Sequence, residues 1–266
     1  MQGIEPGRFI GYERVSGEVR SAQRRYGQLP KIASEKVSYN DNFLLKDLPQ
    51  RYCFLMSHIV LLGDSILDNG RYTSGGPDVI SQVRRLLPKN WNATLLAIDG
   101  STTEAIPSQL ERVPADASHL VLSVGGNDAL MKLDILHMPA ASSAEVLMLF
   151  ADIAGDFEKA YRSAVEACQK LGLHLALCTI YNGCFPDPDY QRAVSTALMV
   201  FNDVIMRVGI ESCLSIIDLR FVCLSAADYA NPIEPSSVGG AKIARAIVNL
   251  VMNNRGTCSG NHVVIS

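Results

Sequence analysis

Three short stretches put a nucleophile and amide groups directly after apolar runs: Gly63-Asp64-Ser65, Asp99-Gly100-Ser101 and Gly125-Gly126-Asn127-Asp128. The Ser65 hydroxyl, the Gly100 backbone amide and the Asn127 side-chain amide make one nucleophile and two donors. Acyl transfer needs that set: a group that attacks a carbonyl and donors that hold the oxyanion that forms. Taken singly, each stretch reads as an ordinary glycine-rich turn after a strand. Three in succession, about one strand-helix unit apart, point to a shared site.

The elements that would gather them are legible in the apolar periods. Runs at 58–63, 93–98, 119–124, 173–180 and 214–218 alternate with helical patterns, the signature of parallel βαβ units. Their unbroken apolar character suits strands covered on both faces. Ser142 and Glu145 have capping-box spacing ahead of apolar residues at steps of three and four from Val146 to Leu171, and Gly172 supplies the stop. Further helical periods run from Tyr190 to Val208 and from Ile243 to Leu250, with shorter helices expected over 77–87 and 103–112. Right-handed crossovers then predict a three-layer α/β/α sandwich with a flavodoxin-like, five-stranded parallel sheet. In such a sheet all three stretches open onto the same edge.

Bulk properties bound the rest. The 266 residues, 48% of them hydrophobic, suffice for one buried core, read as a domain over 58–254 with a tail at 255–266. Residues 1–57 carry more Lys and Arg than Asp and Glu and little apolar periodicity, so they read as a peripheral extension or arm. A net charge of −3 lacks the basic excess that phosphate-backbone binding requires, which excludes nucleic acid as the expected partner. Seven scattered cysteines without a C-x-x-C pair fit reduced thiols rather than a disulfide framework or a zinc site. The absence of an 18-residue apolar run and of an apolar N-terminal segment leads to the expectation of a soluble, cytoplasmic protein.

With these blocks in order, the chain resembles the SGNH/GDSL hydrolase superfamily of serine esterases and lipases over about residues 58–252. The resemblance rests on GDSILDN at 63–69, the glycine of IDGSTT at 98–103 and GGND at 125–128. It implies that Ser65 is the nucleophile, that its own amide, Gly100 and Asn127 form the oxyanion hole, and that Asp64 is structural. In the fourth block the chain departs from the family. Where the superfamily carries D-x-x-H before its last helix, this chain reads Asn231-Pro-Ile-Glu234-Pro235-Ser236, and no histidine lies between His174 and His262.

Three readings of that departure stand. In the preferred one Glu234 is the general base and Asn231 orients it, because an amide beside a carboxylate avoids the like-charge repulsion a second carboxylate would bring. Burial must then raise the Glu234 pKa from its usual 4.3 or so. In the second, His137, in the loop after GGND, supplies the base, while His58 and His119 open strands at the opposite end of the sheet and His262 sits in the tail. In the third, the site is a non-catalytic acyl- or ester-binding pseudoenzyme. The expected function is a serine ester hydrolase of esterase, lipase or deacetylase type, acting on a small or lipid-like ester without a metal or organic cofactor. An acyltransferase would use the same residues. Tyr181 and Asn182, after the fourth strand, face the site edge, and the apolar 131–142 loop reads either as an acyl-contacting rim or as packing onto the next helix. Asp187-Pro-Asp189 reads as a plain loop rather than a metal pair, and Arg84-Arg85 as a solvated helix end.

Overall fold

All five apolar runs become strands of one parallel sheet in a computed structural model, which describes residues 57–253 and the backbone of 263–264. These are β1 (Ser57–Gly63), β2 (Trp91–Leu95), β3 (His119–Ser123), β4 (His174–Cys178) and β5 (Ser215–Ile217). A two-residue strand, β6 (Val263–Val264), pairs parallel with β5 and extends the sheet to the order β2-β1-β3-β4-β5-β6. It comes from the stretch read as a tail, and two residues are too few to show a period. The segment expected as an N-terminal arm lies outside the described residues, apart from Ser57.

Alternation along β1 shows why the strands are apolar throughout. Ile59 and Leu61 pack against α1 (Val79–Leu86) and α6 (Ser237–Asn253) on one face. Val60 and Leu62 pack on the other face against α2 (Ile106–Leu110), α4 (Ser143–Gln169) and α5 (Pro188–Glu211). The result is the expected three-layer α/β/α sandwich, with the short α3 (Gly126–Leu130) after β3. The helix ends follow their caps. Ser142 Oγ accepts from the Glu145 amide and Glu145 Oε2 from the Ala141 amide, and Asp187 Oδ1 accepts from the amides of Asp189 and Tyr190, so the Asp187-Pro-Asp189 stretch is a helix cap.

Local differences from the sequence reading have local causes. The second strand begins two residues earlier than expected and ends at Leu95, because the amides of Leu96 and Ala97 both donate to the Leu61 carbonyl and break the ladder's register. The expected helix over 103–112 divides into a 3-10 turn at Thr103–Ala105 and α2, with Pro107 in the first helical turn. The 131–142 loop holds a 3-10 turn at Leu133–His137. Among the described residues α5 is long and apolar enough to cross a membrane by length and composition. Phe201, Val204, Ile205 and Val208 on this helix are buried against the sheet, which accounts for much of that composition.

Candidate active site

The chain leaves β1 towards β2 on one side and arrives at β3 on the other, so a crevice opens between the carboxyl ends of β1 and β3. Ser65 stands at this point, one residue beyond Asp64, whose amide donates to the Ser123 carbonyl at the end of β3 (3.1 Å). Gly63 takes φ +129°, and a Cβ there would clash with the Ser123 carbonyl oxygen, so only glycine lets the two strand ends approach so closely. The side chain of the fully buried Gln109 pairs with both backbone groups of Gly63, at 2.8 Å each. Gln109 thereby anchors the turn that carries Ser65.

The second and third blocks are tied to one another. Asn127 Nδ2 donates to the Ser101 carbonyl (2.8 Å), and Asp128 accepts from Thr103 Oγ1 (2.7 Å) and from the Thr103 amide (3.1 Å). Asn127 retains a second side-chain N–H for a ligand. The backbone amides of Ser65 and Gly100 donate to no protein acceptor among the described residues.

The fourth block meets the first directly. Ser65 Oγ donates to Glu234 Oε1 at 3.1 Å, and both side chains are buried, at 6% and 7% relative exposure. Glu234 Oε2 is buried with no partner. Desolvation, opposed by the Ser65 hydrogen bond and reinforced by the Asp99 carboxylate, raises the Glu234 pKa to about 7. Asp64, fully buried, is raised further, to about 8, chiefly by burial and then by the charges of Glu234 and Asp128. Its Oδ1 accepts from the Ile66 amide, and its Oδ2 has no partner.

Asn231 sits differently from the sequence expectation. Its Oδ1 accepts from the amides of Ile233 (3.0 Å) and Glu234 (2.9 Å), so it caps the turn carrying Glu234 and does not touch the carboxylate. That turn is closed by a Tyr229–Pro235 bridge and by the Ala230 amide donating to the Glu234 carbonyl. Two residues the sequence reading gave no such role clamp it from outside. Tyr181 Oη donates to the Ile233 carbonyl (2.8 Å), and Asn69 Nδ2 donates to the Pro235 carbonyl (3.1 Å) while its Oδ1 accepts from the Val79 amide. Asn69 was visible as the last residue of GDSILDN, but its partner lies 166 positions away.

The described histidines stand elsewhere, and His262 lies outside the described residues. His137 is exposed, and its ring lies parallel to Tyr190 at 6.4 Å. His58 pairs with Asp116 and Thr94, and His119 stacks on His174, all at the amino ends of the strands. Arg84 donates to the Ala93 carbonyl and so ties α1 to β2.

Ser65, Asn127 and Glu234 line a cleft that is open to solvent and otherwise mostly apolar, with Asp64, Lys132 and Asn182 as its other polar side chains. Its walls come from α4, α5 and the 3-10 turn at 133–137. From the expected rim, Leu133, Ile135 and Leu136 face the cleft, while Met131 (73% exposed) and Met138 (55%) do not line it. A buried serine hydrogen-bonded to a carboxylate with a near-neutral pKa, beside free amide donors, can activate the hydroxyl and stabilise an oxyanion.

The family described as GDSL-like lipase/acylhydrolase matches residues 61–239. No curated protein matches the chain. Among solved structures, the chain is similar to an extracellular lipase from Streptomyces rimosus (15% identity, 73% of this chain and 99% of that one, TM-score 0.54). It is similar to phospholipase A1 from Streptomyces albidoflavus NA297 (12%, 73% and 98%, 0.55) and to a variant of an acetyl xylan esterase from Geobacillus stearothermophilus (19%, 79% and 97%, 0.53). At these identities the likeness is one of fold.

Proposed function

This chain belongs to the GDSL-like lipase/acylhydrolase family, and we propose that it hydrolyses esters through a Ser65 acyl-enzyme with Glu234 as the general base. The observation that carries the reading is the 3.1 Å hydrogen bond from Ser65 Oγ to a buried carboxylate whose pKa is raised to about 7. A general base works best when its pKa lies near the working pH, and an ordinary glutamate falls well short of that.

In the forward step Ser65 Oγ attacks the ester carbonyl as its proton passes to Glu234 Oε1. The Ser65 and Gly100 amides and Asn127 Nδ2 hold the oxyanion. The tetrahedral intermediate collapses with cleavage of the C–O bond, and Glu234 returns the proton to the departing alkoxide. Water then repeats the sequence on the acyl-enzyme, giving the carboxylic acid and free Ser65. The charge in this scheme migrates from carboxylate to oxyanion, whereas a histidine base creates a cation and an anion together. A carboxylate base therefore has no imidazolium to balance. This agrees with an amide, Asn231, standing where the family has its aspartate.

The test is a screen of chromogenic esters with wild type and Ser65→Ala, joined to labelling by a fluorophosphonate. The expected result is turnover by wild type, loss of at least about a thousandfold in the variant, and a mass increment on Ser65 alone. Equal background rates and no adduct would leave an ester-binding protein without catalysis.

A further inference from the structure

We propose that the cleft between α4 and α5 is an acyl-chain site and that the preferred substrates carry a linear acyl group of about eight carbons, with Ala197 limiting the chain. This rests on the Ser65 reading above and adds the substrate class.

Phe150 and Ile153 of α4 face Val194, Ala197, Leu198 and Phe201 of α5 across the cleft. The α5 positions are spaced by three and four, so they form one stripe along the helix. From Val194 to Phe201 the stripe runs roughly 10 Å, the reach of an extended chain of about eight carbons. Phe201, 4% exposed and packed on Phe157 with ring centroids 4.9 Å apart, forms the floor. Asn127, an oxyanion donor in the mechanism above, lines the same cleft, so an ester carbonyl held there is continuous with the apolar stripe that would take the acyl chain. Tyr72 and Asp99, hydrogen-bonded to each other at 2.9 Å, do not line it and leave a polar side for the alcohol. Ala197 is the smallest side chain of the stripe, so it is the position at which added bulk shortens the space.

Burying one methylene is worth about 0.8 kcal/mol, or about fourfold in kcat/KM. Six methylenes separate acetyl from octanoyl. Half of full burial therefore predicts an octanoyl-to-acetyl ratio of about 50 or more on p-nitrophenyl esters. Ala197→Phe should cut that ratio at least tenfold and move the optimum to shorter chains, while Leu198→Ala should move it to longer ones. The second variant reads the same wall in the opposite direction if the first does not fold. Binding separates this inference from catalysis: in Ser65→Ala, octanamide should bind at least about fiftyfold more tightly than acetamide by calorimetry, and Ala197→Phe should remove most of the difference. Tight octanamide binding without ester turnover by wild type would keep the acyl site and reject the hydrolytic reading. Turnover with a flat or acetyl-favouring profile that neither variant changes, or equal binding of the two amides, would reject the acyl site and keep the hydrolase.

Discussion

The acid limb of the pH–rate profile isolates the part played by Glu234. Only the ionised carboxylate can accept the Ser65 proton, so kcat/KM follows the ionised fraction of Glu234. With the pKa held at about 7 by desolvation and by Asp99, that fraction falls from about one half at pH 7 to about one hundredth at pH 5, roughly fiftyfold in rate. A glutamate left at its ordinary value of 4.5 would lose only about 1.3-fold over the same interval. The assay is kcat/KM on a p-nitrophenyl ester between pH 4.5 and 8, with product read at its isosbestic wavelength. Glu234→Gln keeps the shape of the side chain but removes the proton acceptor, and should cost roughly 10²–10⁴ in kcat. His137→Ala should leave both the rate and the midpoint where they are. A flat profile from pH 5 to 7 would refute the argument, as would Glu234→Gln with near-normal turnover or a midpoint that moves in His137→Ala.

Two further perturbations test the surroundings of that carboxylate. Asp64, raised to about 8 by burial, stabilises the fold fully below the unfolded-state pKa of about 4 and loses that contribution as pH rises towards 8, by up to roughly 5 kcal/mol. Urea denaturation at pH 5 and pH 8 should therefore show a steeper loss in wild type than in Asp64→Asn, and equal slopes would contradict the assignment. Asn231→Asp keeps the oxygen that caps the Ile233 and Glu234 amides but adds a like charge, so the acid-limb midpoint should rise above 7 and the rate at pH 7 fall. In a Glu234→His background the same substitution should speed the reaction instead, because an imidazolium then needs the anion; the same sign in both backgrounds would count against charge migration.

Much of this was legible in the sequence because the determinants were local. Strands covered on both faces leave unbroken apolar runs, and β1, β3, β4 and β5 fall within two or three residues of them. Caps at Ser142 and the period of α4 mark that helix to within two residues. The three loop blocks were readable because each follows its strand directly. Other features depend on partners far along the chain. The end of β2 is decided by the Leu61 carbonyl, and β6 is too short to carry a pattern. Asn231 could be placed in the base turn from its position, but whether its oxygen meets backbone or carboxylate is a matter of turn geometry. The acyl wall was hidden for another reason: Val194, Leu198 and Phe201 read equally well as core, and only the gap between α4 and α5 distinguishes a lining residue from a packed one.

The electrostatics of the site also narrow what it can bind. Several acids lie near one serine: after burial, the Glu234 and Asp128 charges raise the Asp64 carboxyl, and the Asp99 charge raises that of Glu234. An oxyanion formed there would meet repulsion that two or three amide donors must offset. A substrate bringing its own anionic acyl group would add to that repulsion inside an apolar cleft with no buried cation among its described lining residues to meet it, Lys132 at its edge being exposed. If Ser65 acts as proposed, neutral acyl esters should therefore react in preference to dicarboxylic ones. The raised Glu234 carboxyl and the buried Ser65 hydroxyl it accepts from are both withdrawn from water, the condition the proposed mechanism needs.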